Sequence, residues 1–554
     1  MTSSSPRSVL YRGGVVHSAA APFAEAVLVA DGRVAWLGGD DSAHTVQDGA
    51  DEVVDLDGAL VAPAFVDAHV HVLETALALT GVDLSVGAGV ATLDAALDRV
   101  AAAARALPAG ATLLGHGWDE TAWPEGRPPT RAEVDRATGG RPAYLARTDV
   151  HSAVVGGALS EPLTTLRGWR EDGWVTDDAH RAARAATRRP GETTRAALYR
   201  TALRAAAAQG VVSVHEHSAP SFDTREGLAA LLAMTADAAS GLPLVVGYRA
   251  ELLREVEAAR DLLASVPGLT GIGGDLTVDG SLGSWTAALR TPYADRPATS
   301  GVLELDADDV AAHLVAASLA RVQVAFHAIG DRALDAVLDG VRVALAGPDA
   351  RDVRGSGARV EHAEMADDDA VAALAALGLS ASVQPLFDAR WGGTEGMYAQ
   401  RLGADRAGRL NRFADLAAAG VPLALGSDSP VTPVDPWAAV SAAVHHRTSG
   451  QRITARAAFR AHTRGGWRLA RLEHLGAGEI RLGAPAHLAI WDAPALTVQA
   501  PDPGRAAWST DVRAGSPLLP ELPDPAQLAA GEGRPRCLRT LRDGVVLHDV
   551  LDAR

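Results

Sequence analysis

Eight short apolar runs occupy the middle of the chain, and stretches with helical periodicity separate most of them. Strands that alternate with helices form parallel sheets, and eight such alternations favour a closed (β/α)8 barrel over an open sheet. We therefore predict an α/β fold organised as a TIM barrel. The expected strands are Val61–His71, Val211–His217, Leu244–Arg249, Asp275–Gly280, Val322–His327, Arg359–His362, Leu379–Gln384 and Pro422–Asp428.

Both ends of the chain show a different pattern, in which short apolar or alternating segments are broken by Gly-Gly and Asp-Gly. Such turn residues between β-rich segments are typical of hairpins. We predict one small β-sandwich domain formed by residues 1–60 and 478–554, with the barrel at 61–477. Residues from about 84 to 192 interrupt the barrel after its first strand and are predicted to form an inserted subdomain over its mouth.

Two of the stretches between strands have clear helix boundaries. One helix is expected at Thr193–Gln209, directly before Gly210. The other is expected at Asp367–Leu377, which begins with aspartates and ends before Gly378. Aspartate favours the start of a helix, and glycine favours the position just beyond its end.

The composition excludes several classes of protein. A net charge of −17 without any basic run argues against a nucleic-acid partner. No apolar stretch is long enough to span a bilayer, and residues 1–10 lack the apolar core of a signal peptide. The single cysteine, Cys537, excludes an internal disulfide and fits a reducing compartment. We expect a cytoplasmic protein with no membrane partner.

The chain contains no lysine, so all 51 residues counted as lysine plus arginine are arginine. Schiff-base chemistry through a lysine is therefore excluded. A carboxylated lysine that bridges two metal ions is excluded for the same reason.

Histidines and an aspartate lie where the predicted strands end. His69 and His71 close the first run, and because side chains alternate along a strand, both point the same way. His327, His362 and Asp428 end three further runs. The active site of a barrel forms at these strand ends, so the side chains should meet there. Imidazole and carboxylate suit Zn²⁺, Fe²⁺ or Mn²⁺, and we predict one or two divalent ions, with Zn²⁺ preferred.

This set of residues favours a hydrolytic reaction. A divalent ion lowers the pKa of bound water from about 15.7 to roughly 7 and polarises a carbonyl group. Asp428 beside that water can orient it, accept its proton and pass the proton to a leaving nitrogen. Hydrolysis of an amide or other C–N bond of a small molecule is therefore the predicted reaction.

Further side chains are predicted to contact the small-molecule substrate. Some end barrel strands, and others lie in the insertion or in the loops that follow strands. Aromatic residues near a barrel mouth can shape an apolar pocket, and an arginine can pair with a substrate carboxylate. The expected substrate-binding residues are Trp118, Asp119, His215, Arg249, Asp279, Trp285 and Gln384.

Eight motifs, spread over nearly the whole chain, resemble those of one enzyme family. They are Ala-Phe-Val-Asp-Ala-His-Val-His (64–71), Gly-Trp-Asp-Glu-Thr (117–121), Arg-Thr-Asp-Val-His-Ser (147–152), Val-Ser-Val-His-Glu (212–216), Val-Asp-Gly-Ser-Leu-Gly-Ser (278–284), Phe-His-Ala-Ile-Gly-Asp (326–331), Val-Glu-His-Ala-Glu (360–364) and Gly-Ser-Asp-Ser-Pro-Val (426–431). The sequence is similar to the amidohydrolase superfamily, in the branch that contains N-substituted formamide deformylase. The resemblance implies a metal-dependent hydrolase with His69, His71, His327 and His362 as metal ligands. It implies Asp428 as the catalytic base, which touches the metal in some relatives.

One position departs from the pattern of this family. Many relatives carry the carboxylated lysine at the position of Asp275, in Gly-Gly-Asp-Leu-Thr-Val-Asp-Gly (273–280). Asp275 is a candidate for the bridging carboxylate, but it is shorter than the modified lysine. In an extended strand the Cα atoms of Asp275 and Asp279 would lie roughly 13 Å apart, at about 3.3 Å per residue. A single ion held by the four histidines is therefore an alternative to a centre with two ions.

Two other functions remain open at this point. A deaminase would use a single ion to release ammonia from an aromatic ring. A degenerate barrel would bind a ligand without turnover, which the missing lysine allows. The oligomeric state is open as well, with a homodimer among the expectations.

Overall fold

The computed structural model describes residues 7–108, 110–500, 507–509 and 517–551. The outermost residues of the two predicted terminal segments, 1–6 and 552–554, lie outside this part of the chain. The described residues form a barrel, a β domain built from both chain ends, and an insertion with a sheet of its own.

An eight-stranded sheet forms the centre of the molecule, and its neighbouring strands are paired in parallel. A bridge between Val70 and Ser429 joins the first strand to the segment after the eighth, so the sheet closes on itself. The predicted TIM barrel is therefore confirmed. The barrel strands are, in chain order, Phe65–Val70, Val211–Ser218, Leu244–Arg249, Gly271–Ile272, Gln323–Ala328, Arg359–His362, Ser380–Val383 and Leu423–Leu425.

The predicted position of the fourth strand was wrong. The strand is Gly271–Ile272 and not Asp275–Gly280. The two glycines that follow it have positive φ, and a β-carbon on the first, Gly273, would lie 1.9 Å from the carbonyl oxygen of Ala325. Asp275 therefore lies beyond the strand at the barrel rim, and the spacing expected for an extended strand does not apply.

The first predicted run divides between two domains. Leu60–Pro63 pairs antiparallel with Leu488–Asp492 and belongs to the terminal β domain. Phe65–Val70 forms the first barrel strand. The β domain thus continues past residue 60, and the strand that carries His69 starts five residues later.

Helices follow the barrel strands. The two helices with clear sequence boundaries form at Glu192–Ala207 and Asp368–Leu377. In the second, Asp367 accepts a hydrogen bond from the backbone N–H of Ala370, and Gly378 follows with a φ of 71°. The other α-helices of this domain are Val72–Thr80, Arg225–Thr235, Val256–Ser265, Ala307–Leu319, Asp331–Ala346, Ala350–Gly355, Pro385–Trp391, Met397–Leu402, Ala404–Ala407, Phe413–Ala418, Pro436–Val444, Ala455–Arg460 and Gly466–Leu469. Among the residues described, no helix is long and apolar enough to cross a membrane.

Two sheets from the chain ends pack as the predicted sandwich and share one apolar core. The four-stranded sheet has the spatial order Arg33–Gly38, Ala26–Ala30, Ser8–Arg12, Glu52–Asp55. The five-stranded sheet has the order Val15–Val16, Leu60–Pro63, Leu488–Asp492, Arg536–Arg542, Val545–Asp549. Smaller elements of the two terminal segments are the helices Asp40–Gln47 and Pro525–Ala529 and the strands Leu496–Ala500, Ala507–Ser509 and Leu519–Pro520.

The insertion after the first barrel strand is a small α/β unit. Its sheet has the order Trp174–Val175, Ala153–Gly156, Ala143–Arg147, Leu113–Trp118, Val82–Asp83. Its α-helices are Leu93–Ala106, Arg131–Thr138 and Asp177–Thr187. Trp118, Trp123 and Trp174 belong to one buried apolar cluster, so the tryptophans of this segment contribute to a core of its own.

Candidate metal centre

His69 and His71 lie at the end of the first barrel strand, and both imidazoles face the same pair of carboxylates. Asp428 Oδ1 is 3.4 Å from His69 Nε2 and 3.1 Å from His71 Nε2. The carboxylate oxygens of Asp275 lie 3.7 Å from His69 Nε2 and 3.6 Å from His71 Nε2. The alternation of side chains along the strand thus brings both rings to one place, as the spacing of the two histidines predicts.

His362 approaches the same place from the sixth strand. Its Nε2 lies 3.9 Å from Asp275 Oδ1. Two sets of three residues have their candidate ligand atoms within 4.8 Å of one another: His69, Asp275 and His362 form one, and His69, His71 and Asp428 form the other. His69 belongs to both sets, so five predicted ligands lie in one continuous cluster.

His327 lies beside this cluster. Its ring centroid is 4.5 Å from that of His362, but it belongs to neither set. Both ring nitrogens are buried, and no described residue forms a hydrogen bond with them. Asp279 Oδ1 is 3.6 Å from Nδ1. His327 is therefore free to contact a ligand at the edge of the cluster.

Hydrogen bonds to the protein determine which nitrogen of each imidazole faces the cluster. His69 Nδ1 contacts Glu361 Oε2 at 2.9 Å, and His71 Nδ1 contacts the His217 carbonyl oxygen at 2.9 Å. His362 Nδ1 contacts Gln384 Oε1 at 2.8 Å. The three oxygens can only accept, so each Nδ1 carries a hydrogen and donates it. In the neutral rings the lone pair is then on Nε2, which is the atom that faces the cluster, as in many metal sites.

The atoms at the centre of the cluster are those of a cation site. His69 Nε2, His362 Nε2 and Asp428 Oδ1 are buried and have no hydrogen-bond partner among the described residues. Leaving buried polar atoms unpaired is costly, so such a convergence points to a bound species. Imidazole and carboxylate ligands fit Zn²⁺ and other divalent ions of the first transition series.

A third set of three candidate ligands lies deeper in the barrel. His69, His217 and Glu361 also have atoms within 4.8 Å of one another. Arg359 pairs with this glutamate, however, and donates to both carboxylate oxygens of Glu361 at 2.6 and 3.0 Å. Because a guanidinium already neutralises this carboxylate, we assign Glu361 the role of orienting His69.

Burial and charge have opposite effects on the protonation of the cluster. Burial disfavours the charged form of His71, but Asp428 and Asp275 outweigh burial and raise its pKa to about 9. Burial likewise opposes protonation of His362, and Asp275 and Asp428 raise its pKa to about 9. Burial alone would raise the pKa of Asp428, but His69, His71 and His362 hold it below its usual range. The carboxylates are therefore ionised, and protons compete with a cation for the imidazoles.

The backbone of the site adopts conformations that are rare outside glycine. His362 has a φ of 70° and Asp428 a φ of 55°. Asp67 holds the second of these segments in place, because its Oδ1 accepts hydrogen bonds from the N–H groups of Ser427 at 2.9 Å and His69 at 3.2 Å. Left-handed residues persist where surrounding contacts hold them, and they are common at functional sites.

A cavity of about 470 Å³ opens beside the cluster. His71, Asp275, His327, His362 and Asp428 form its metal-site end. The insertion and the loops that follow the second to fourth strands complete the wall. Residues on that wall include His151, Arg184, Phe222, Leu276 and Leu305. Its size suits a small molecule.

The seven predicted substrate contacts lie outside the cavity wall. Three of them have structural partners in or near the insertion. Trp118 is buried and donates to the Leu145 carbonyl at 2.8 Å. Asp119 accepts a hydrogen bond from Arg147 at 3.3 Å. Trp285 lies beneath the guanidinium of Arg401 at 3.6 Å.

The other four support the barrel rim. Gln384 orients His362, as described above. Asp279 accepts backbone hydrogen bonds from Ile329 at 3.0 Å and from Gly330 and Ala288 at 2.8 Å. His215 Nδ1 lies 3.0 Å from Arg359 Nη1. Arg249 donates to Glu251 at 2.8 Å and to Ser218 at 3.0 Å, so it is already paired within the protein.

Several residues of the site have roles that the sequence did not predict. Glu361 orients His69, and Asp67 joins the first strand to the segment of Asp428. His151 and Arg184 reach the cavity from the insertion. Glu361, Asp67 and His151 lie inside motifs, which is a signal that could have found them. Arg184 lies in none of the eight motifs, so the sequence carries no comparable signal for it.

Comparison with known proteins decides the family. The sequence profile of the amidohydrolase family matches residues 52–548. This chain belongs to the amidohydrolase family. The amidohydrolase is 28% identical over 496 residues to the protein LONG AFTER FAR-RED 3 of Arabidopsis thaliana. The aligned part covers 82% of this chain and 81% of the plant protein. It is 26% identical over 455 residues to N-substituted formamide deformylase of Arthrobacter pascens, with 76% and 80% covered.

A solved structure is similar to the amidohydrolase as well. An uncharacterized metal-dependent hydrolase from Pyrococcus horikoshii OT3 superposes with a TM-score of 0.68 at 27% identity, over 87% of this chain and 97% of that one. The family predicted from the motifs is therefore confirmed, and the fold is that of metal-dependent hydrolases.

Proposed function

We propose that this amidohydrolase cleaves an amide or other C–N bond of a small molecule and that a divalent ion, with Zn²⁺ as first candidate, binds at the cluster. The observation that carries the proposal is the convergence of His69 Nε2, His362 Nε2 and Asp428 Oδ1, all buried and without a hydrogen-bond partner among the described residues. The nearby cavity of about 470 Å³ supplies room for a substrate.

The residues at the cluster divide into ligands and a base. His69, His71 and His362 present Nε2 atoms, and Asp275 presents a carboxylate within 4 Å of all three. His327 would hold a ligand or a second ion at the edge. When bound, a divalent ion would let water ionise near neutral pH and would polarise a substrate carbonyl. Asp275 belongs to one set of ligands and lies 3.6 Å from His71 of the other, so it is the residue that would bridge two ions if two are present.

Asp428 is the candidate for proton transfer. Its pKa is held low by the surrounding imidazoles, so its carboxylate is ionised and can accept a proton from water. The same carboxylate can then give that proton to the leaving nitrogen of an amide. Asp428 is buried at the cavity end, where a bound substrate would reach it.

Metal content and activity test the proposal together. We expect purified protein to contain one or two divalent ions per chain, measured by elemental analysis. Removal of the ions with a chelator should abolish hydrolysis of N-formyl and N-acetyl amines, and Zn²⁺ should restore it. Full activity after complete removal of metal would contradict the proposal. Release of ammonia from an aromatic amine in place of amide cleavage would favour a deaminase.

The variant His69→Ala tests whether the cluster binds the metal. Because His69 belongs to both sets of ligands, its loss should remove bound metal and activity. The exposed His44 provides a matched control, and His44→Ala should keep both. A His69→Ala protein with undiminished metal and turnover would reject the assignment.

A further inference from the structure

Arg184, on the insertion helix Asp177–Thr187, lines the cavity, and its guanidinium lacks a full set of hydrogen-bond partners among the described residues. It is 6% exposed and lies on the cavity wall. Its Nη2 donates to the Val150 carbonyl. Its Nε is buried, and no described residue accepts a hydrogen bond from it. A buried arginine with donors to spare is costly unless a ligand pairs with it.

Arg184 shares its nearest carboxylate with a second arginine. Glu74 lies 3.9 Å from its Nε, but that carboxylate already receives two hydrogen bonds from Arg188, at 2.5 and 2.8 Å. Two buried guanidinium groups thus share one carboxylate. Among the described residues, Glu74 is the one carboxylate within 4 Å of Arg184, so an anionic ligand would give this guanidinium a partner of its own.

The acidic residues of the wall have other partners: Asp275 and Asp428 face the histidines of the cluster, and Glu304 and Asp177 are held elsewhere. Glu304 accepts two hydrogen bonds from Arg167, at 2.9 and 3.0 Å, and lies 3.7 Å from Arg181. Asp177 is in the first turn of the insertion helix, where a negative charge is stabilised by the helix itself. Its carboxylate also accepts a hydrogen bond from the Thr176 hydroxyl at 2.8 Å.

Phe222 contacts both Arg184 and a residue of the metal site. The Phe222 ring centroid lies 4.5 Å from Arg184 Cζ and 4.7 Å from the ring centroid of His71. One aromatic side chain therefore touches both the guanidinium and a candidate metal ligand. The remaining wall is mixed: it includes apolar residues such as Leu276 and Leu305 and polar ones such as Thr277 and Thr286. A single small molecule can reach both ends.

We propose that Arg184 binds a carboxylate of the substrate and that the substrates of this amidohydrolase are N-acyl amino acids or related amido acids. The inference rests on the proposed function, because it places the scissile amide at the metal end of the cavity. Arg184 fixes the carboxylate at the other end, and apolar wall residues such as Leu276 and Leu305 accept the side chain. A planar guanidinium suits a carboxylate because it can donate two parallel hydrogen bonds.

Matched pairs of compounds test this specificity. The probes are N-acetyl-glycine, N-acetyl-leucine and N-acetyl-phenylalanine, each compared with the N-acetyl amine that lacks only the carboxylate. For metal-loaded protein we expect the acid of at least one pair to bind tenfold to a hundredfold more tightly than its neutral counterpart. Affinity is measured by calorimetry where no hydrolysis occurs, and as KM where it does.

Variants assign the preference to Arg184. In Arg184→Gln the preference for the acid should fall to about twofold or less, with metal content and Tm close to those of the wild type. Arg184→Lys keeps the charge but loses the planar fork, so it should retain part of the preference. The exposed Arg200 is the control, and Arg200→Gln should behave as the wild type.

The outcomes separate the two proposals. An acid preference that disappears in Arg184→Gln supports the inference, even if no compound is hydrolysed. Absence of any acid preference, or a preference that Arg184→Gln leaves intact, overturns it. The proposed function fails independently if metal-loaded protein cleaves no amide of any kind.

Discussion

Three imidazoles at the candidate metal centre each have one nitrogen held by the protein and the other directed at a common place. The acceptors differ: a carboxylate for His69, a backbone carbonyl for His71 and a side-chain amide for His362. All three leave the same ring atom, Nε2, facing the carboxylates. The orientation of the rings is thus built into the protein before any cation binds.

A substitution at Gln384 tests how much the orientation of His362 contributes to metal affinity. Gln384→Met removes the acceptor of the His362 Nδ1 hydrogen with little change in volume. Loss of such a supporting contact typically costs tenfold to a hundredfold in metal affinity. We expect a weakening of that order in a competitive chelator titration. Gln384→Glu keeps an acceptor and should remain close to the wild type. Equal affinity in Gln384→Met would show that packing alone orients His362.

A substitution at Asp428 tests whether metal binding and proton transfer depend on different residues. Asp428→Asn keeps the shape of the side chain and leaves His69, His71 and His362 in place. We expect the metal content to remain while kcat for the best amide falls by about 10² to 10⁴, the range typical of a lost general base. Elemental analysis and steady-state kinetics on the same sample check both points. An unimpaired kcat would remove the assignment of Asp428 as the base.

At the scale of strands and helices, the sequence predicted most elements because local patterns determine them. Glu192–Ala207 and Asp368–Leu377 form close to where capping residues and glycines indicated. The fourth barrel strand was misplaced because Gly273 and Gly274 end it after only two residues. The apolar residues beyond them are buried without forming a strand, and a hydrophobic pattern cannot distinguish these two cases.

A substitution at Gly378 tests how much the glycine that ends a helix contributes to stability. Its φ is 71°, and a β-carbon there would meet no atom within 4 Å, so Gly378→Ala introduces backbone strain without a clash. We expect a loss of about 1 kcal/mol, seen as a lower Tm. Gly355→Ala is the matched control, because Gly355 lies in a helix with equally open surroundings and no positive φ. That substitution should be neutral or slightly stabilising.

At the scale of the whole molecule, the site depends on contacts between segments that are distant in sequence. Candidate ligands were predictable because strand ends of a barrel meet at one rim. The role of Arg184 was not, since the chain holds 51 arginines and only the tertiary structure shows which one is buried beside a cavity. Arg249 had the more suggestive position, but Glu251, two residues later, neutralises it.

Buried histidines in different parts of the molecule should make its stability sensitive to acid. Burial lowers the pKa of His17, His313 and His462 to about 4. In the unfolded chain a histidine has a pKa of about 6.5. Between these two values the unfolded chain binds more protons than the folded protein. Stability should therefore fall as the pH decreases from about 6.5 to 4, and these groups should cause no change above that range.

His462 allows this dependence to be assigned. Its Nδ1 lies 2.9 Å from the Val66 carbonyl oxygen, which accepts its hydrogen, and a glutamine amide can donate a similar bond without titrating. Thermal midpoints from pH 7.5 to 4.5 should fall by several degrees in the wild type and less steeply in His462→Gln. His44→Gln changes an exposed histidine and should keep the wild-type slope. If the thermal midpoint falls equally with pH in all three proteins, the acid sensitivity has another origin. A smaller fall in His462→Gln alone would show that burial of this imidazole contributes to it.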